Sequence, residues 1–263
     1  MPVITKISIQ QKNKDRYNIF LDDKYAFSVD EEVLIKHQLK KGMDIDDFSM
    51  ADISYHDDIS KAYNTAIQHL SRRMRSEKEV RQHLKEKEIE DPVIQEVIHK
   101  LYKHKFLDDQ EYAIAFVRTQ VNTTDKGSAV IRRELREKGI ADPMIEQAML
   151  EYTFDMELST AGQIAEKFVL KNKRDSTRIM KQKLEQLLVR KGFPLQIIQE
   201  AISEVDADKS EDEEMTALLV HAEKAHRKYA NLSGFEYEQK MKQTLYRKGF
   251  SIELIERYLR ERI

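Results

Sequence analysis

The chain has 263 residues, a formal net charge of −2, no cysteine, seven glycines and four prolines, and charged residues make up 35% of it. The absence of cysteine excludes a disulfide framework, a thiolate nucleophile and a cysteine-built zinc site. The near-balance of charge speaks against a protein that works chiefly by coating nucleic acid, and the abundance of Glu and Lys over Gly and Pro favours long solvated helices over a sandwich or barrel.

The N-terminus, MPVITKISIQQKNKDRYNIF, has no basic segment leading into an apolar one, so no signal peptide is expected. The longest apolar run, around Tyr112–Val117, is about six residues, against the roughly 20 needed to cross a bilayer. A cytoplasmic monomer with no membrane partner is the expectation. Residues 1–57 read as a small β cap plus one helix. VITKISIQ and RYNIFLDDKYAFSV alternate apolar and polar residues, with QKNKD and DDK as turns, which predicts three short antiparallel strands. A helix near Asp30–Leu39, ended by Gly42, follows.

The rest of the chain repeats itself. LKEKEIEDPVIQEVIHKL begins at Leu84 and LREKGIADPMIEQAMLEY at Leu135; LVRKGFPLQIIQEAISEV begins at Leu188 and LYRKGFSIELIERYLRER at Leu245. The offsets of 51, 53 and 57 define four units, at 58–105, 106–154, 155–207 and 208–263. Gly139, Gly192 and Gly249 stand where a helix must stop and can close it in the left-handed conformation. The first unit has Glu88 there, so a looser or mildly strained turn is expected. An apolar residue follows (Ile89, Ile140, Phe193, Phe250), then Asp91-Pro92 or Asp142-Pro143 as N-cap and first helical residue. Val93, Ile94, Val97, Ile98 and Leu101 form one apolar stripe, matched by Met144, Ile145, Ala148, Met149 and Tyr152. Upstream there is room for two more helices per unit, with a Ser76/Glu79 capping box in the first and Asp108 or Asp109 as a cap in the second. The third unit reads as helices at 155–172, 175–191 and 194–205, the fourth at 211–230, 233–248 and 251–262, with the acidic run 206–214 as a solvated linker or helix start. The expected fold is therefore mainly α: an elongated array of four tandem three-helix repeats behind a small β-strand cap.

No catalytic constellation appears, and no enzymatic activity is expected. Phosphate-binding glycine loops and HExxH are absent. His99/His104 and His221/His226 are spaced five apart, which splays each pair around its helix, so neither a metal nor a cofactor is expected. The acidic pairs Asp22-Asp23, Asp46-Asp47, Asp57-Asp58 and Asp108-Asp109 read as turn or helix-start residues. Basic residues are more suggestive. Arg72, Arg73 and Arg75 close a predicted helix, and Arg132, Arg133 and Arg136 flank the core face of another, with Arg118 and Lys126 near them in the chain. Like charges three and four apart are mildly unfavourable on a helix, so their crowding points to an acidic surface or to phosphates, unless it is a solvated face offset by Glu134 and Glu137. Two classes follow: an interaction protein lying along another macromolecule, or a DNA-binding protein using its repeats as helix-turn-helix modules. The second is weaker because no helix is studded with base-reading Arg, Asn and Gln.

FLDDQEYAIAFVRTQVNTTDKGSAVIRRELREKGI (106–140) strongly resembles the central motif of the RecX family, bacterial regulators of the RecA recombinase. AIQHLSRRMRSEKEVRQHLKEKEIEDPVIQEVIHKL (66–101) is similar to that family's first repeat, and the strand cap and later repeats resemble those of longer Gram-positive members. Glu88 departs from the family's turn glycine, and Ser128 stands where a proline often follows the glycine. The resemblance implies curved tandem three-helix repeats that bind the RecA–DNA filament, mostly as an inhibitor. DNA itself would be at most a weak direct partner. Arg72, Arg73, Arg75, Arg118, Lys126, Arg132, Arg133 and Arg136 would then form the filament- or phosphate-binding surface.

Overall fold

The computed structural model describes residues 1–11, 13–205 and 209–262. It divides into two compact units, Met1–Ala113 with Glu137–Met144, and Ile114–Arg136 with Ile145–Ile263. Thirteen α-helices and one small sheet are found among the described residues. The expected turn at QKNKD includes Lys12, and the expected linker includes 206–208; these four residues lie outside those described.

In the first unit, β1 (Ile4–Ile9), β2 (Arg16–Leu21) and β3 (Lys24–Asp30) pair antiparallel in that order. Asp22 and Asp23 join β2 to β3 with φ of 47° and 66°, the two-residue left-handed turn that suits a twisted hairpin. Ile4, Ile19, Leu21 and Val29 bury one sheet face against Val33 of α1 (Glu31–Lys36), Leu39, Ile45 and Ile53. Helix α1 is capped by Asp30 and stops at His37, ahead of Gln38 at φ 49°, several residues before Gly42.

Helix α2 is longer than its apolar pattern indicates, spanning Asp47–Leu70. Asp57 therefore lies inside a helix rather than at a turn, and only 3% of it is exposed. Arg16 donates to both its carboxylate oxygens (3.1 and 2.8 Å), the Asp30 N–H donates at 2.9 Å, and Lys61 lies at 2.9 Å. Burial alone would raise the Asp57 pKa; the bonds from Arg16, Lys61 and Asp30 outweigh it and lower it. This buried ion group ties the sheet to α2. Helices α3 (Glu77–Glu86) and α4 (Asp91–Lys103) complete the first three-helix core, in which Ala62, Ala66, Val80, Leu84, Ile94, Val97, Ile98 and Leu101 pack together. The Ser76/Glu79 capping box forms. Asp91 does not act as the N-cap: Glu90 holds the extended cap conformation, which moves Asp91 and Pro92 one position inside the helix.

Next come α5 (Asp109–Thr123), α6 (Ser128–Glu137) and α7 (Asp142–Ala148), the last running into a 3₁₀ turn at Met149–Glu151. Asp108 caps α5, accepting from the Gln110 and Glu111 N–H groups at 3.0 Å. In the second unit, α8 (Phe154–Lys171), α9 (Thr177–Lys191) and α10 (Leu195–Glu204) surround a core of Ala161, Ala165, Leu184, Leu188, Phe193, Ile197 and Ile198. Helices α11 (Glu211–Tyr229), α12 (Gly234–Arg247) and α13 (Ile252–Arg262) enclose Leu218, Ala222, Met241, Leu245, Phe250, Ile255 and Tyr258.

One joint recurs three times. The start of a middle helix meets the closing turn of the next repeat's middle helix and a carboxylate from the next repeat's first helix. At α3, the Ser76 hydroxyl donates to the Lys138 carbonyl (2.8 Å) and the Glu77 N–H to Asp109 (2.8 Å). At α6, the Gly127 N–H donates to the Lys191 carbonyl (2.8 Å) and the Ser128 N–H to Glu157 (2.7 Å). At α9, the Ser176 hydroxyl donates to the Lys248 carbonyl (2.6 Å) and the Thr177 N–H to Glu214 (3.2 Å). A helix start has unpaired N–H donors and a positive dipole end, so a carboxylate is the fitting partner. The glycine of each receiving turn sits at φ 84–86° and under the incoming helix. A Cβ at Gly139 would lie 2.8 Å from Lys78 Cβ, at Gly192 2.7 Å from the Val130 nitrogen, and at Gly249 2.4 Å from the Ser176 hydroxyl. At α6 the incoming residue is itself Gly127, whose Cβ would come 2.3 Å from the Gly192 carbonyl carbon.

Candidate partner-binding surface

The basic residues singled out in the sequence fall on two elements. Arg72, Arg73 and Arg75 do not close a helix: α2 ends at Leu70 with Ser71 as C-cap, and the three arginines occupy the turn leading into α3. A cation there faces the positive end of α3, and the chain offsets it locally. Arg73 donates to Glu79 (2.9 Å) and to the Met74 carbonyl (3.0 Å). Arg72 is exposed and Arg75 half-buried, with an Nε that has no hydrogen-bond partner among the described residues.

Glu79 organises this turn. Burial would raise its pKa, but the bonds from Arg73 and the Ser76 N–H, with the nearby Lys138 ammonium, lower it to about 2. Beside the turn, His69 and His83 stack at 3.8 Å with rings 5° from parallel. Burial, then His83, Arg75 and Arg73, lower the His69 pKa and favour its neutral form.

The other five residues belong to the second unit. Arg118 holds Glu151 with two bonds of 2.9 and 3.0 Å, and Arg132 holds Glu146 with bonds of 3.0 and 3.1 Å. Arg133 and Arg136 are exposed on α6, and both are engaged in further interactions. Lys126 is turned inward to Glu134 (2.6 and 2.9 Å) and Gln120 (2.9 Å), fixing the loop before α6. Glu134 thus offsets a loop lysine rather than the helix arginines. In each unit most of these arginines are exposed on structured backbone, Arg75 and Arg132 being half-buried, and Arg73, Arg118 and Arg132 are already paired to glutamates. Exposed pairs of this kind contribute about 0–1 kcal/mol, so an incoming carboxylate or phosphate can replace the glutamate at little loss. Sequence reasoning placed Asp109 at a helix start without its joint, and passed over Glu157 and Glu214; Asp109 and Glu157 are 8% and 6% exposed, and all three hold the joints. An acid in the first turn of each repeat's first helix was the available signal.

Family models match nearly the whole chain: the Regulatory protein RecX N-terminal domain at 2–46, the first three-helix domain at 62–101, the second at 108–149, and the third at 155–202 and again at 211–259. A Regulatory protein RecX of Bacillus subtilis is 49% identical over 261 residues, covering 99% of both chains. The chain belongs to the RecX family. Another Regulatory protein RecX, from Bacillus licheniformis, is 45% identical over 262 residues and all of both chains. A crystal structure of regulatory protein RecX superposes with a TM-score of 0.73 at 36% identity, covering 78% of this chain and 100% of that one. RecX from Lactobacillus salivarius gives 0.56 at 39% identity over 58% of this chain and 99% of its own. This RecX-family chain is thus a regulatory protein built of three-helix repeats. No helix among its described residues is long and apolar enough to cross a membrane.

Proposed function

We propose that this chain is a non-enzymatic, cytoplasmic regulator, mainly an inhibitor, of the RecA recombinase, acting on the RecA–DNA filament in recombination, repair and the SOS response. The observation that carries the reading is the full-length match to proteins named Regulatory protein RecX. The repeats agree with it. A filament presents the same surface again and again, and tandem units on one chain engage such sites at high effective concentration. The exposed arginines of the α2–α3 turn and of α6 are the contact elements of this proposal, facing acidic recombinase surface or DNA phosphates.

The test is ATP hydrolysis by RecA on single-stranded DNA, with this protein below one copy per recombinase subunit and a parallel reaction in excess DNA. Inhibition that persists in excess DNA supports action on the filament. Inhibition that DNA relieves replaces this reading with competition for the strand. In the same assay, joint reversal of Arg132, Arg133 and Arg136 to Glu weakens inhibition while far-UV circular dichroism stays unchanged; undiminished inhibition removes α6 from the contact.

A further inference from the structure

One group of side chains in the first unit has no part in the joints or the arginine surface. His37, at the end of α1, and Asp52 and His56, one turn apart on α2, bring one ligand atom each to within 4.8 Å of one another. His37 Nε2 lies 3.1 Å from His56 Nδ1, and His56 Nδ1 lies 3.5 Å from Asp52 Oδ1. The Asp52 carboxylate also approaches His37 Nδ1 at 3.8 Å. With metal–ligand bonds of about 2.0–2.1 Å, the edge of a tetrahedral site is roughly 3.3–3.4 Å. The two distances at His56 bracket that value.

We propose that His37, Asp52 and His56 form a binding site for a divalent transition-metal ion of the Zn²⁺ class, which clamps the N-terminal cap to the first repeat. Two imidazoles and one carboxylate suit Zn²⁺ or Co²⁺, whereas Mg²⁺ and Ca²⁺ require oxygen ligands. Without a metal, the facing ring nitrogens of His37 and His56 share one proton, and His56 Nδ1 also lies 2.9 Å from the Asp52 carbonyl oxygen. For a metal to take both facing lone pairs, the ring that carries this proton shifts to its other tautomer, with the N–H on its outer nitrogen so that both rings stay neutral, and the His56 ring rotates slightly away from the carbonyl. Water fills the fourth position, from the cavity that His56 lines with Lys36, Tyr55, His99 and Lys103. The clamp joins elements 15 to 19 residues apart in sequence that otherwise meet through the sheet core and Asp57.

The experiment uses the full chain, freed of metal with a chelator and dialysed, and titrates it with Co²⁺. Saturable one-to-one binding with the visible absorption of a four-coordinate nitrogen/oxygen site, reversed by Zn²⁺, is expected. His37→Gln and His56→Gln should each weaken it at least tenfold and Asp52→Asn less, while a His99→Gln/His104→Gln double variant keeps it. Zn²⁺ should raise the melting temperature of the parent by a few degrees, as for any ligand of the native state, and leave His56→Gln unmoved. Circular dichroism identifies any variant that fails to fold; the parent's Co²⁺ spectrum and the His99/His104 control decide the matter without it. No saturable binding by the parent at about 100 µM metal overturns the proposal. So does binding lost in the His99/His104 variant but kept in a folded His37→Gln chain.

Discussion

The closing turn at Glu88 and those at Gly139, Gly192 and Gly249 have nearly the same backbone and different neighbours. Glu88 takes φ 60°, in the same left-handed region as the glycines at 84–86°. Its Ile89 N–H returns to the Leu84 carbonyl at 3.2 Å, as Phe193 does to Leu188 at 3.2 Å and Phe250 to Leu245 at 3.4 Å. The helix stop therefore does not by itself demand glycine; a side chain can adopt it at roughly 1–2 kcal/mol. What demands glycine is the preceding repeat, whose middle helix rests on the turn. Repeat one has no repeat before it, so its turn can carry a glutamate.

The sharpest way to break that contrast is Gly127→Ala, where the strain is contact alone. Its Cβ would meet the Gly192 carbonyl carbon at 2.3 Å, backbone against backbone. A loss of about 3 kcal/mol or more in urea unfolding is expected, with amide protection falling first at the start of α6. Gly249→Ala combines positive φ with the 2.4 Å approach of the Ser176 hydroxyl, and should cost about 2–3 kcal/mol. A loss at Gly249→Ala no larger than the gain from Glu88→Gly would show that φ alone selects the residue.

The first joint also differs in its electrostatics, because Glu79 links Arg73 and Lys138 there. Its pKa is depressed from 4.5 to about 2, so its stabilisation is complete above about 4.5 and disappears as pH falls through about 2. Between pH 5 and 2 the parent should lose about 1–2 kcal/mol more than Glu79→Gln. Thermal melts of both across that range measure the difference. Smallest and opposite in sign is Glu88→Gly, which relieves a left-handed residue with nothing docked on it and should stabilise by about 0.5–1 kcal/mol.

Much of this was legible in the sequence. The apolar columns, the Ser76 capping box and the three turn glycines follow from local rules, because a helix end is settled within a few residues. One error comes from a contact distant in sequence and another from a one-residue shift at a helix start. Asp57 reads as a turn acid until Arg16, 41 residues earlier, is seen on it. Asp91 slips one place because Glu90 takes the cap conformation without a side-chain cap bond. The arginines of the candidate surface were visible as charges. Their partners were not, since Glu151 is 33 residues from Arg118 and Glu146 is 14 from Arg132.

The joints also set an order of assembly. Ser76 waits for the carbonyl of a residue 62 positions later, and Ser176 for one 72 positions later. On a ribosome, α3 and α9 would leave the exit tunnel capped locally by Ser76 and Ser176 but with the Glu77 and Thr177 N–H groups still lacking Asp109 and Glu214, and would be completed only when the following repeat had been synthesised. Maturation would then run from the N-terminus towards the C-terminus, one repeat behind translation. At α12 the N-cap Ser233 makes no side-chain capping bond, unlike Ser76 and Ser176. A stalled or truncated chain would expose the same kind of unfinished helix start at whichever repeat synthesis had reached.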